Sequence, residues 1–254
     1  MLVLKELAAL GGRATLTALA AHLRENPAKV HRYLASLMED SFVTQGQGTQ
    51  QYCLGPQCIS IGLAAMRIAD PIRSSEPSLV RLRENLEVTC FVAVMGNRGP
   101  TIMRFEEPGL PVTVNVRAGP VMSMLWSATG RLFLALLDES RVRKLAEEEL
   151  AHAPAELRAQ LDSGDPIGHL QRAVGAKGCA TVKDTNLRGI SAVAAPLFDA
   201  SGHLCASLTA LGTTGGFDSS LDGPIATALR KEAETISTAL GFVPNHESAF
   251  SGCV

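Results

Sequence analysis

Asn26-Pro-Ala-Lys-Val-His-Arg-Tyr-Leu-Ala-Ser-Leu-Met-Glu39 is the stretch from which the rest of the chain can be read. Asn26 is a good N-cap, and Pro27 occupies a first helical position whose N–H would have no partner in any case. Val30, Leu34, Leu37 and Met38 recur at i, i+4, i+7 and i+8, which draws one apolar stripe along a helix. Lys29, Arg32 and Ser36 fall off that stripe. Ala28, at the helix start, is small enough for a close approach to a groove.

The flanks give the helix a context. Thr15 to Leu23 reads as a short helix with Leu16, Leu19, Ala20 and Leu23 on one face, and only Arg24 and Glu25 separate it from Asn26. Two helices so joined meet at a steep angle. Leu2 to Leu10 predicts a further helix, stopped by Gly11-Gly12. Ser41-Phe-Val-Thr and Gln51-Tyr-Cys-Leu predict two short strands around Gln45-Gly-Gln-Gly-Thr-Gln50, where the glycines supply the freedom a hairpin tip needs. Three helices and a β-wing in about 55 residues form a winged helix-turn-helix, for which double-stranded DNA is the leading partner. Pro27, Ala28, Lys29, His31, Arg32, Tyr33 and Gln47 are the candidate DNA-binding residues. Lys29 and Arg32 suit phosphate or guanine, and Ala28 a position near a base. His31 reads either as a DNA contact or as a structural residue facing the neighbouring helix. Tyr33 reads as a packing or phosphate residue, and Gln47 as a groove contact or a solvated hairpin tip.

Composition fits two domains. The chain has 254 residues, 46% of them hydrophobic, room for a small module and a larger one with its own core. No window approaches a membrane span, and no secretory signal precedes the first helix, so the expected location is the cytoplasm. The six cysteines show no Cys-x-x-Cys pairing, which argues against a disulfide framework. The net charge is −2, and residues 1–69 carry six Lys/Arg against four Asp/Glu. Without a strongly basic footprint, DNA affinity must lean on dimerisation and direct base readout more than on counterion release.

Residues 56–71 predict an unusually apolar linker helix with Ile59, Leu63, Met66 and Ile68 as anchors, reading either as packing onto the chain's own domains or as a dimer contact. From 72 to 243, helices are predicted at 78–86, 127–137, 139–149, 155–174 and 219–240. Strands are predicted at 90–95, 101–105, 112–116, 179–183, 191–198 and 203–211. Strands joined by hairpins and flanked by helices indicate an α+β domain with a largely antiparallel sheet. Residues 244–254 read as a disordered tail.

The chain resembles the IclR-type transcriptional regulators. Val30-His31-Arg32 followed by Leu34 to Leu37, then Ser41-Phe42-Val43 and Tyr52-Cys53-Leu54-Gly55, match that family's helix and wing, with Ser41 standing where a glycine is usual. The resemblance implies a homodimer or homotetramer and a GAF-like effector-binding domain at 72–243. Its Ser/Ala-x-x-Gly-Lys/Arg step falls on 127–131, so Ala128, Thr129 and Gly130 carry over as effector-pocket residues. Exposed N–H groups at a helix start suit a carboxylate, although Ser127 or Thr129 would equally serve as a plain N-cap. The opposite wall carries over to Ile190, Ala192, Thr209 and Leu211. Val182 and Ala192 replace more polar residues, and Met124 and Trp126 add apolar bulk, which points to an aromatic or medium-chain carboxylic acid.

Enzymatic signatures are lacking: no Gly-x-Ser-x-Gly, His-Glu-x-x-His or Gly-x-x-x-x-Gly-Lys-Ser/Thr occurs. No cofactor or metal is implied, since His152, His169 and His203 lie far apart without close companions. Cys179 and Cys205 fall in apolar strands, where thiols are usually inert. The expected protein is a ligand-responsive regulator with a palindromic or repeated operator. The alternative is a sensor or assembly protein that keeps the fold without sequence-specific DNA binding.

Overall fold

The computed structural model describes residues 2–46, 49–109, 119 and 121–243. They form two compact units, divided between Ile68 and Ala69. Gln47, the predicted strand at 112–116 and the tail at 244–254 lie outside the described residues.

In the first unit, α1 (Leu2–Ala9), α2 (Leu16–Leu23) and α3 (Pro27–Glu39) pack around Leu7, Leu19, Val30 and Leu34, all fully buried. The chain leaves α1 through Gly11 and Gly12, both at φ +81, where a side chain would be strained. It then forms a strand that the sequence reading missed. β1 (Arg13–Thr15) pairs antiparallel with β3 (Gln51–Leu54), which also pairs with β2 (Val43–Gln45), so the wing is a three-stranded sheet in the order β1-β3-β2. Arg-Ala-Thr has too few residues to show alternation, and only its partner makes it a strand. Thr15 therefore ends β1 and caps α2, its Oγ1 accepting the Ala18 N–H at 3.2 Å.

Asn26 caps α3 through its Oδ1, which accepts the Ala28 N–H at 2.8 Å. The helix closes in a Schellman motif: Phe42 N–H donates to Leu37 O at 2.9 Å and Ser41 N–H to Met38 O at 3.0 Å. Ser41 takes the left-handed conformation at φ +59 that the motif requires. The serine noted in the sequence thus preserves the turn, at some cost in strain. α4 (Pro56–Ile68) buries no residue, and Ile59, Leu63, Met66 and Ile68 are all exposed.

The second unit is a five-stranded antiparallel sheet in the order β5-β4-β8-β7-β6. Its strands are β4 (Thr89–Gly96), β5 (Gly99–Glu106), β6 (Ala180–Lys183), β7 (Ile190–Phe198) and β8 (Leu204–Thr213). Alternation separates the two faces. Val92, Val193, Ala195, Leu208 and Ala210 meet α5 (Pro71–Leu86) and α10 (Pro224–Ala239). Phe91, Ala192, Ala194 and Leu211 meet α6 (Ala128–Leu136). A further cluster joins α6 to α7 (Ser140–His152) and α9 (Pro166–Lys177) through Phe133, Val142, Ala146 and Leu170.

The helix boundaries differ most from the sequence reading in three places. α5 begins at Pro71, seven residues early, because Asp70 Oδ1 caps Ile72 N–H at 2.9 Å and the helix tolerates Pro77 inside it. The single helix expected over 155–174 is divided into α8 (Ala155–Arg158) and α9. Asp162 Oδ1 accepts the N–H groups of Gly164 and Asp165, and Asp165 then caps α9 with Pro166 at its first position. The last helix starts at Pro224 rather than at 219.

Candidate nucleic-acid interface and ligand cavity

α3 buries Val30 and Leu34 and turns its other side outward. Pro27, Ala28, His31, Arg32 and Tyr33 are all exposed, so the reading of His31 as a residue packed on a neighbouring helix is not what the fold contains. Lys29 is half-buried, and its Nζ lies 2.7 Å from Glu25 Oε1 one turn earlier. The Glu25 hydrogen bond and charge raise the Lys29 pKa, so the ammonium stays charged but is already engaged. Among the described residues Arg32 forms no ion pair, which leaves its guanidinium available to phosphate or a base edge.

The second unit holds a cavity of about 580 Å³ on the α6 side of its sheet. Phe91, Ile102, Val182, Ile190, Ala192, Thr209 and Leu211 supply the sheet wall. Met122, Met124, Trp126, Ala128 and Thr129 supply the segment that leads into α6, with Leu145 and Glu149 from α7 behind it. Nine of the ten residues singled out for the pocket line this cavity. Gly130 does not. A Cβ there would lie 2.0 Å from Ser123 O and 2.6 Å from Met124 Cα, so its role is to let α6 pass against that backbone.

Hydrogen bonds hold the wall in place. Thr129 Oγ1 and Thr209 Oγ1 lie 2.9 Å apart, both buried. Ser127 Oγ caps α6 by accepting the Gly130 N–H at 2.9 Å and donates to Ser123 O at 2.5 Å. Glu149 Oε2 accepts the N–H groups of Met124 at 2.7 Å and Leu125 at 3.2 Å. Trp126 presents its ring here while Nε1–H donates to Leu157 O at 3.2 Å, a structural tether. Thr185 Oγ1 donates to Trp126 O at 2.6 Å and ties the β6–β7 loop to the same wall.

Sequence reasoning missed Arg98, Ser123, Glu149, Asn186 and Leu187, which also line the cavity. Arg98 is the only cation among the described lining residues, and it is exposed on the β4–β5 turn. Its position in Gly96-Asn-Arg-Gly99 signalled a turn and nothing more. Arg131 of the motif at 127–131 turns away from this cavity, donating to Leu125 O at 2.7 Å and Thr181 O at 3.3 Å. Burial lowers its pKa to about 10.

Chemistry beyond binding finds little footing here. Burial pushes the Cys90 thiol up to about 12 and the Cys205 thiol up to about 11, which suppresses the nucleophilic thiolate. Among the described residues, no three His, Cys, Asp or Glu side chains are grouped to hold a metal ion, and no helix is long and apolar enough to cross a membrane.

The chain matches the family model "Bacterial transcriptional regulator IclR C-terminal" over residues 64–238 and that of the IclR helix-turn-helix domain over residues 1–47. It is similar to the crystal structure of Pseudomonas aeruginosa HmgR, at 36% identity and a TM-score of 0.89, covering 96% of each chain. It is 26% identical to the HTH-type transcriptional regulator BhcR of Paracoccus denitrificans, over 82% of this chain and 74% of that protein. It is 24% identical to the DNA-binding transcriptional repressor YiaJ of Escherichia coli, over 87% of this chain and 80% of that protein. These relatives are transcriptional regulators, not enzymes.

Proposed function

The chain belongs to the IclR family of bacterial transcriptional regulators, and on that premise we propose that a small carboxylic acid, aromatic or medium-chain, binds the 580 Å³ cavity and modulates operator binding. The observation that carries the ligand assignment is the wall itself. Phe91, Ile102, Met122, Met124, Trp126, Val182 and Leu211 offer apolar surface to a ring or chain, while one cation, Arg98, stands among the lining residues. Such a combination of mostly apolar lining and few polar groups suits an amphipathic acid. The N–H groups of Ala128 and Thr129, in the first turn of α6, offer a second anchor for the carboxylate.

On DNA, α3 is the helix that enters the major groove, with Arg32 and His31 toward base edges or phosphates and Ala28 allowing close approach. Lys29 exchanges Glu25 for a phosphate. The exposed apolar face of α4 serves a homodimer, which doubles a modest set of phosphate contacts and fits a palindromic or repeated operator. The ligand acts by preferring one of two arrangements of the dimer, and linkage makes the effect reciprocal.

The test begins with selection of bound fragments from randomised duplex DNA. A motif of two half-sites about one helical turn apart is expected. Replacing Lys29 and Arg32 together by Ala should weaken binding to that motif about tenfold or more, at ~1–3 kcal/mol for each good base contact, with helix content unchanged. Benzoate, phenylacetate and octanoate should raise the melting temperature and shift operator affinity, whereas pyruvate and glyoxylate should not raise it through this cavity. Unaltered DNA binding by the double variant overturns the α3 assignment. A response confined to two- and three-carbon acids, lost on filling this cavity, overturns the ligand class.

A further inference from the structure

We propose that the C-terminal unit carries a second ligand site, for a small oxyanion, in the cavity of about 300 Å³ between α9, β6 and Arg131. It is lined by Arg131, Asp162, His169, Ala173, Lys177 and Thr181, among others, and it shares no lining residue with the larger cavity.

The geometry is that of a built anion site. His169, Ala173 and Lys177 follow one another at intervals of four on α9, so they share one face, with the small Ala173 leaving open space between two basic side chains. Across that space lies the Arg131 guanidinium. Two of its five N–H groups are taken by the carbonyls of Leu125 and Thr181, which fix the plane of the fork. Among the described residues no side-chain nitrogen or oxygen sealed from solvent lacks a partner, so the unbonded edge of the guanidinium reaches the open volume of the cavity.

Charge leads to the same conclusion. Arg131 makes no ion pair among the described residues, and its two carbonyl partners are neutral. Burial alone lowers its pKa, with no carboxylate offsetting the loss of solvent. A desolvated cation without a counter-charge is costly, and a fork of N–H groups matches a carboxylate or phosphate. Asp162, the one acid in the lining, already accepts two backbone N–H groups through Oδ1. Arg131 and Lys177 thus outweigh it, and the His169 ring offers a further hydrogen-bonding group on the same face.

Calorimetric titration of the full chain with inorganic phosphate and, separately, with pyruvate tests the site. Saturable binding of one of them is expected, and which one binds tells a phosphate ligand from a carboxylate. Ala173→Leu, which fills the space with a good helix former, should abolish that binding. Lys177→Met, on an exposed position, should weaken it about threefold to tenfold, as for the loss of one ordinary hydrogen bond in contact with solvent. Ala192→Leu, in the larger cavity, should leave it intact, and this keeps the test separate from the ligand proposed above. Three results overturn the site: no saturable binding of either anion, binding that survives Ala173→Leu unchanged, or binding lost in Ala192→Leu but not in Lys177→Met. Should Ala173→Leu fail to fold, an unchanged affinity in Lys177→Met refutes the site by itself.

Discussion

Replacing Gly130 by Ala separates two readings of this glycine by the sign of a stability change. Gly130 lies in the first turn of α6 at an ordinary helical φ, so alanine would gain about 1 kcal/mol in helix propensity if nothing opposed it. The added Cβ would meet Ser123 O at 2.0 Å, Met124 Cα at 2.6 Å and Met124 O at 2.7 Å. All three atoms are backbone, so no side chain can swing aside, and α6 and the 123–124 segment must separate by roughly 1 Å to restore van der Waals contact. Overpacking of this kind costs about 1–3 kcal/mol, and the upper end applies where backbone must move. That movement also loosens the N–H groups of Met124 and Leu125 from Glu149, at about 1 kcal/mol for each bond lost. The net expectation is a loss of about 2–4 kcal/mol, the higher figure if both bonds are lost, which for a unit of this size lowers Tm by about 4–16 °C. Trp126, the only tryptophan of the chain, is buried beside the substitution and reports the transition of this unit by fluorescence. An unchanged or raised Tm would refute the close-packing argument and return Gly130 to the cavity wall.

Two further substitutions test the turn after α3 and an ion pair. Ser41→Gly should stabilise the N-terminal unit by about 0.5–1 kcal/mol, because φ +59 is strained for serine and free for glycine; a lower urea midpoint would show that the serine side chain contributes more than the strain costs. Glu232→Gln should destabilise the C-terminal unit by about 1 kcal/mol at neutral pH, the solvent exposure of Arg81 limiting the effect. Arg81 holds both Glu232 oxygens, at 3.1 and 2.6 Å, and its hydrogen bond first of all lowers the Glu232 pKa. A carboxyl whose folded pKa is depressed contributes stability above its unfolded pKa and loses it as pH falls through the folded one. The difference between wild type and Glu232→Gln should therefore close in acid, and a difference that persists below the carboxylate range would assign the effect to packing.

The elements that were legible share one property: their signal lies within a single helix or strand. Asn26-Pro27 marks the start of α3, the Val30–Leu34 spacing marks its buried side, and the alternating residues of β4, β7 and β8 mark the sheet. β1 was illegible because three residues become a strand only when β3 lies beside them. The break between α8 and α9 was misread because the apolar spacing continues across it, while Asp162 and Asp165 stop the helix through side-chain bonds that periodicity does not weigh. At the cavity, nine of the ten expected residues lie on the wall because they flank one helix start and alternate along neighbouring strands. Arg98 and Glu149 were missed because nothing local distinguishes a turn arginine or a helix glutamate from a solvated one.

The amino-acid sequence by itself determined the two modules, the buried and outward sides of α3 and the apolar character of the cavity wall, since each follows from spacing and residue type along one element. Only the tertiary structure decided which charges are spoken for. Arg98 stands at the larger cavity, and Arg131, from the same motif as Ala128 and Thr129, turns to the other side of α6, where Thr181 holds it. A side chain's direction and its counter-charges come from elements distant in sequence, and those distances exist only once the chain has folded.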